Sequence, residues 1–128
     1  MLRRTFLTVL TAGAVAAFMP GGARASGSPL PGFDEALAAG EPILVHVTAP
    51  WCSVCRAQKK VLPGLLENPD FAALRVFEVD FDSQDDILAY FRVQSQSTMI
   101  VFRDGAEIDR QVGQSDPAVI EALLRQAI

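Results

Sequence analysis

The feature that most constrains the fold is a run of β-branched and apolar residues from Ile43 to Thr48. Only His46 interrupts it with an ionisable side chain, and segments with helical spacing lie on either side. A strand that is apolar on both faces has to be covered on both faces, as in the centre of a sheet flanked by helices. The run therefore predicts a buried central strand in an α/β domain.

The rest of the chain continues this alternation. Before the run, residues 33–39 are rich in helix formers and end at Gly40. After it, apolar residues recur at helical spacing over residues 52–66, where we expect Pro63 to kink or break the helix. The later segments predict, in order, a buried strand (74–79), a short helix (84–92), a strand (99–103), a second strand paired with it through Asp104-Gly105 (108–112), and a last helix opened by Asp116 and Pro117.

This order of elements predicts a mixed sheet. Alternating strands and helices require parallel crossovers, whereas two strands joined by a tight turn are antiparallel. Helices would cover both faces of the sheet. A chain of 128 residues that is 50% hydrophobic and 20% charged has room for one such domain.

Residues 1–25 are predicted to be a cleavable signal peptide. Arg3 and Arg4 begin it, an uncharged run over residues 6–19 follows, and Ala23-Arg24-Ala25 has small residues at both positions of a cleavage site. The uncharged run is shorter than the ~20 residues that a membrane-spanning helix needs. The two arginines resemble the twin-arginine export signal of bacteria, although an ordinary secretory leader can carry the same pair.

The remaining chain is therefore expected in the bacterial periplasm, with a flexible lead-in at residues 26–32 and a domain at residues 33–128. The whole sequence carries 15 acidic and 11 basic residues, a net charge of −4. Because this charge leaves no excess of cations for phosphates, we do not expect nucleic acid as a partner.

The only two cysteines, Cys52 and Cys55, lie where the central strand gives way to a helix. The first turn of a helix has unpaired N–H groups and the positive end of the dipole, and both favour a thiolate. We therefore expect Cys52 to be an exposed thiol with a pKa below that of a free cysteine. Cys55 lies one turn later, close enough to close a disulfide with Cys52. The pair is a candidate two-electron redox switch.

Three other interpretations of the pair remain open. A structural disulfide would close a loop too short to constrain the unfolded chain strongly. A structural zinc site needs four protein ligands, and His46 is the only histidine available to join the two thiols. Two small core residues would also suit burial statistics. A C-x-x-C pair beside a β-α pattern favours redox chemistry over all three.

Residues 49–56, Ala-Pro-Trp-Cys-Ser-Val-Cys-Arg, resemble the active-site segment of the thioredoxin family, and residues 97–105 resemble a downstream segment of it. The likeness spans about Phe33 to Ile128. It implies a thioredoxin-like fold and a thiol–disulfide oxidoreductase that acts on protein thiols and disulfides without a dissociable cofactor. It also implies that Cys52 is the nucleophile, Cys55 the resolving thiol, and Trp51 part of the substrate-facing surface.

Two departures concern the groups around the thiols. Ser53-Val54 stands where thioredoxins enclose Gly-Pro, so the reduction potential cannot be transferred from them. His46 occupies the place of the family's buried acid, and Glu78, less securely, that of a facing lysine. We predict that His46 is a general base for Cys55 with Glu78 as its partner; a merely packed core histidine is the alternative.

A third departure lies in the loop before the third strand. Ser97 stands where the family has a cis-proline, so the Gln96–Ser97 bond is expected to be trans. The backbone of Gln96, Ser97 and Thr98 could still pair with an extended substrate. The loop could also leave the thiols more open to a metal ion.

Two other functions are consistent with the sequence. Cys52 and Cys55 could hold a soft ion such as Cu(I) for transfer, or the fold could serve as a non-catalytic binding module with an acidic surface. The oxidoreductase would need a redox partner, which could be membrane-bound, to recharge it. We expect a monomer.

Overall fold

The computed structural model describes residues 27–128. Its helices and strands are α1 (Phe33–Ala38), β1 (Ile43–Thr48), α2 (Ser53–Leu66), a 3-10 turn (Pro69–Phe71), β2 (Arg75–Asp80), α3 (Asp85–Phe91), β3 (Thr98–Arg103), β4 (Ala106–Val112) and α4 (Pro117–Arg125). The predicted signal peptide lies outside the described residues. Within residues 27–128, no helix has the length and apolar character needed to cross a membrane.

The four strands form one mixed sheet in the order β2-β1-β3-β4. β1 runs parallel to β2 and antiparallel to β3, and β3 and β4 form an antiparallel hairpin. The hairpin turns at Asp104 (φ 53°) and Gly105 (φ 82°), both left-handed as in a type I′ turn. The predicted mixed sheet with a closing hairpin is confirmed.

The central strand β1 separates two core layers. One layer joins β1 to α1 and α3 through alternate side chains, namely Ile43, Val45 and Val47. Leu44 points into the opposite layer, which α2 and α4 cover. Because successive side chains of a strand alternate between faces, His46 and Thr48 share the face of Leu44 and lie towards α2.

The second strand differs from the buried strand predicted for residues 74–79. β2 lies at the edge of the sheet, and Val79 is its only buried residue. An edge strand contacts one neighbouring strand instead of two, which leaves side chains such as Val76 exposed. The apolar composition of the segment does not show its place in the sheet.

Of the kink or break expected at Pro63, the break does not occur. α2 continues to Leu66, because only one N–H is missing and the following turn keeps its bonds, such as Glu67 N–H to the Pro63 carbonyl at 3.2 Å. The described part of the predicted flexible lead-in contacts the domain at two points. Leu30 is buried in the core, and the backbone N–H of Ser28 donates to Asp34.

Candidate active site

The two cysteines lie at the junction between β1 and α2. Cys52 is the N-cap of α2, and its Sγ accepts a hydrogen bond from the backbone N–H of Cys55 at 3.1 Å. Both cysteines are free thiols in this structure. The predicted place of Cys52 at the helix N-terminus agrees with the structure.

The expectation of an exposed Cys52 is wrong. Only 5% of its surface is accessible, and Cys55 is fully buried. The two cysteines pack with Ala49, and Phe81 covers part of the cluster. The strand-to-helix turn therefore shields the pair more than its position at a helix end suggested.

Burial and neighbouring hydrogen-bonding groups shift the pKa of Cys52 in opposite directions. Burial by itself raises the pKa of this thiol, but hydrogen bonds from the Cys55 thiol, from the backbone at Cys55 and Val54, and from the Ser97 side chain outweigh it. The pKa of Cys52 consequently lies below the ordinary cysteine value. The first thiol is thus the one that ionises more readily, as the helix position predicts.

The second thiol has the opposite electrostatics. Burial raises the pKa of Cys55, and the hydrogen bond with Cys52 raises it further, against opposing hydrogen bonds from Ala49 and Thr48. Among the described residues, Thr48 Oγ1 is buried without a well-aligned hydrogen bond, although the Cys55 thiol lies within its reach. Cys55 therefore has to lose a proton in a buried place before it can attack.

His46 is buried, with 2% of its surface accessible, and its hydrogen-bond partner is Gln58 rather than Glu78. The ring Nε2 lies 2.8 Å from Gln58 Oε1. Glu78 is the neighbour of His46 in the β1–β2 register, but its exposed carboxylate pairs with Lys59 Nζ at 3.0 Å. The predicted partnership of Glu78 with the ring is corrected to an influence of charge alone, because parallel neighbours need not direct their side chains at each other.

The net effect on the ring favours the neutral form. Burial lowers the pKa of His46 most strongly, while the Gln58 hydrogen bond and the charge of Glu78 raise it and Lys59 lowers it slightly. Burial prevails, so the pKa lies below the ordinary histidine value of 6.5. His46 is therefore a neutral, proton-accepting imidazole at neutral pH.

The loop before β3 lies against the thiols. None of the described peptide bonds is cis, as expected for Gln96–Ser97, and Ser97 adopts a left-handed backbone with φ 57°. Its hydroxyl donates to the Gln96 carbonyl at 2.6 Å. The same hydroxyl is near enough to Cys52 to help lower the pKa of that thiol. Thr98 is buried, and its hydroxyl donates to the Ser95 carbonyl at 2.7 Å. The structure thus brings the predicted substrate loop to the nucleophile.

Trp51 is the exposed part of the site, with 57% of its surface accessible. Its indole N–H donates to both carboxylate oxygens of Asp82, at 2.9 and 3.1 Å. The ring also meets Phe81 edge to face, with 6.4 Å between centroids. The two contacts hold an apolar surface in place beside Cys52, as a substrate-facing role requires.

Three residues of the site escaped the sequence analysis: Thr48, Gln58 and Asp82. Gln58 had a detectable signal, because it lies at helical spacing from Cys55 and Leu62 on the inner face of α2, where an apolar residue is expected. A polar side chain at such a position needs a buried partner. Thr48 and Asp82 gave no comparable signal.

The described residues contain no group of three or more His, Cys, Asp or Glu side chains arranged to hold a metal ion. Cys52 and Cys55 offer two thiols. A pair with one acidified thiol, one buried thiol and a neutral imidazole on the strand beneath defines a thiol–disulfide exchange site.

Comparison with known proteins gives the family. The thioredoxin family model matches residues 30–126. A thioredoxin from Mycolicibacterium smegmatis is 36% identical over 93 residues, covering 72% of this chain and 80% of that protein. One from Porphyra purpurea is 28% identical over 87 residues, covering 68% and 80%. The crystal structure of Trxlp from Edwardsiella tarda matches with a TM-score of 0.70 and 43% identity, over 72% of this chain and 89% of that one.

The chain belongs to the thioredoxin family. It is a thioredoxin-like thiol–disulfide oxidoreductase with Cys52 and Cys55 as its C-x-x-C pair.

Proposed function

We propose that this protein is an exported oxidoreductase that exchanges disulfides with protein substrates, with Cys52 as nucleophile and Cys55 as resolving thiol. The contrast between the two thiols supports the roles proposed for them. Cys52 caps α2 and has a lowered pKa, whereas Cys55 is fully buried and has a raised pKa. A substrate disulfide can reach the first sulfur more readily than the second.

In the reducing direction, the Cys52 thiolate attacks a substrate disulfide, one substrate thiolate leaves, and a mixed disulfide forms. Cys55 then loses its proton and attacks Cys52 Sγ, which releases the second substrate thiolate. The substrate gains two electrons, and Cys52 and Cys55 are left as a disulfide. The oxidising direction is the reverse sequence.

His46 is the proposed proton acceptor for Cys55. Its lowered pKa keeps the ring neutral at neutral pH, and it shares one face of β1 with Thr48, whose hydroxyl lies within reach of the Cys55 thiol. A proton leaving Cys55 could move towards the ring through this hydroxyl or through water. Trp51 and the loop formed by Gln96, Ser97 and Thr98 would bind the substrate around Cys52.

Insulin reduction tests the roles of the two thiols. Wild-type protein should reduce insulin, and Cys52→Ser should be inactive. Cys55→Ser should attack once and accumulate as a mixed disulfide visible on a non-reducing gel. Accumulation in Cys52→Ser instead of Cys55→Ser would reverse the assignment. Titration of the wild-type pair against glutathione gives its reduction potential.

The leader supports the proposed periplasmic location. A cationic start, an uncharged run and a small-residue cleavage site occupy residues 1–25. The full chain expressed in a bacterium should be recovered from the periplasm with Ser26 at its N-terminus. Replacing both Arg3 and Arg4 by lysine should block export by the twin-arginine route and leave a general secretory route working.

Recharging requires a second protein. Each cycle leaves the cysteine pair in the opposite redox state, so we propose a redox partner, in the membrane if electrons come from the cytoplasm. One chain carries both cysteines, and we expect it to act as a monomer. Cys55→Ser expressed with its leader should trap substrates, and Cys52→Ser, with its reactive thiol removed, is the matched control.

A further inference from the structure

A buried amide connects the predicted base to the predicted substrate loop. Gln58 is 1% exposed and uses three hydrogen bonds. Its Nε2 donates to the backbone carbonyls of Ser97, at 3.1 Å, and Gln114, at 2.8 Å. Its Oε1 lies 2.8 Å from His46 Nε2. Three separate parts of the chain therefore meet at one side chain.

The direction of these bonds can be deduced from their partners. A carbonyl only accepts, so the two carbonyls require the NH2 of Gln58 on their side. Its oxygen must then face the ring, and an amide oxygen only accepts. His46 Nε2 therefore carries the proton, and in the neutral ring Nδ1 is the unprotonated nitrogen.

The same amide supports an unusual backbone. Ser97 has a φ of 57°, and its carbonyl also accepts from the Gly113 N–H at 3.1 Å. A left-handed conformation at a residue other than glycine persists where surrounding contacts hold it. Two donors on one carbonyl supply such contacts. The hydroxyl of this residue is also near enough to Cys52 to help lower the pKa of that thiol.

We propose that Gln58 is a positioning residue that holds neutral His46 with its proton on Nε2, leaves Nδ1 free to accept a proton, and fixes the Ser97 loop beside Cys52. The catalytic use of Nδ1 rests on the proposed function, whereas the proton position and the loop conformation do not. Glu78 on β2 and Lys59 on α2 are the charged groups that also act on the ring, in opposite directions.

Nitrogen-15 NMR of the reduced full chain tests the proton position, because His46 is the only histidine. Above its pKa, the wild-type ring should show one tautomer, with a protonated Nε2 and an unprotonated Nδ1. Gln58→Met, which keeps the length but removes every hydrogen bond, should allow the Nδ1–H form to appear. A wild-type ring protonated on Nδ1 would overturn the assignment.

Gln58→Glu separates the two roles. Its carboxylate still accepts from Nε2–H but cannot donate to the two carbonyls. The pKa of His46 should therefore rise in Gln58→Glu and fall in Gln58→Met relative to wild type, since a stronger acceptor favours the charged ring. Amide exchange at Gly113 should quicken about two- to tenfold in both variants, the equivalent of one net hydrogen bond.

An unchanged His46 pKa and unchanged Gly113 exchange in both variants would refute the positioning role. None of these measurements needs turnover. If His46→Ala resolved the mixed disulfide at the wild-type rate, His46 would not be the general base. The tautomer assignment would be unaffected, because it depends on the nitrogen-15 spectrum of the wild-type protein.

Discussion

Replacing His46 by glutamine removes the chain's only imidazole and should change how stability depends on pH. The ring is buried, and burial keeps its pKa below the ordinary value of 6.5. As the pH falls through about 6.5, His46 of the unfolded chain therefore becomes protonated, whereas His46 of the folded chain stays neutral. By linkage, the free energy of unfolding keeps the full contribution of neutral His46 above pH 6.5. It loses this contribution as the pH falls from 6.5 towards the lower pKa of His46 in the folded protein.

The size of the effect follows from one proton. Across this window, the free energy of unfolding should decrease by up to about 1.4 kcal/mol per pH unit in the wild type. His46→Gln cannot titrate, and its amide N–H can still donate to Gln58. The variant should therefore lack this slope, whatever its stability at pH 7.5.

Urea denaturation between pH 5 and 7.5 measures the difference. Both proteins should carry Cys52→Ser, so that the lowered thiol pKa at that position adds no slope of its own. The carboxylates are common to both and cancel in the difference. If the free energies of unfolding of the two proteins change in parallel over the whole pH range, the pKa of His46 is not lowered in the folded protein.

Three other outcomes follow from the geometry. Alkylation of the reduced protein at neutral pH should label Cys52 before Cys55, and mass mapping that found equal rates would contradict the thiol assignment. Asp82→Ala should free the indole of Trp51, the only tryptophan, and lower its fluorescence anisotropy, with Asp82→Asn nearer to wild type because its amide oxygen still accepts. Gly105→Ala should lower the free energy of unfolding by about 1–2 kcal/mol, and Gly105→Asn by less, because φ is 82° there; urea titration measures both.

Much of the fold could be predicted because its signals are local. The apolar run from Ile43 to Thr48 and the helical spacing after Cys52 mark their own elements, and Asp104-Gly105 marks its turn. Apart from the β3–β4 hairpin, the sequence did not predict which strands lie next to each other in the sheet. The apolar residues of β2 are common to central and edge strands, so the sequence could not show that this strand is paired on one side.

The site divides in the same way. The C-x-x-C spacing predicts the relation of Cys52 to Cys55, since both lie within one helical turn. The hydrogen-bond partner of His46 is Gln58 on α2. The strand register predicts Glu78 instead, and this prediction fails because the Glu78 side chain pairs with Lys59. Contacts between elements depend on side-chain directions that spacing along the chain does not specify.

Two departures from the thioredoxin pattern, His46 and Ser97, meet at Gln58 and are not independent. A family-like acid at position 46 would place an acceptor against Gln58 Oε1. Either the acid at position 46 would stay protonated and donate to Gln58 Oε1, or the Gln58 side-chain amide would rotate to direct its NH2 at the acid. The rotated amide would no longer donate to the carbonyls of Ser97 and Gln114.

His46→Asp should therefore destabilise the fold by about 1–3 kcal/mol at pH 8, the cost of buried groups left unpaired. The loss should be smaller at pH 5, where a protonated carboxyl can donate to Gln58. Because His46 of the wild type itself titrates between these pH values, the matched reference is His46→Asn, whose amide N–H can donate at either pH. His46→Asp should be less stable than His46→Asn at pH 8 and closer to it at pH 5. Equal stability of His46→Asp and wild type at pH 8, measured by urea titration, would show that the residue at position 46 and the Ser97 loop vary independently.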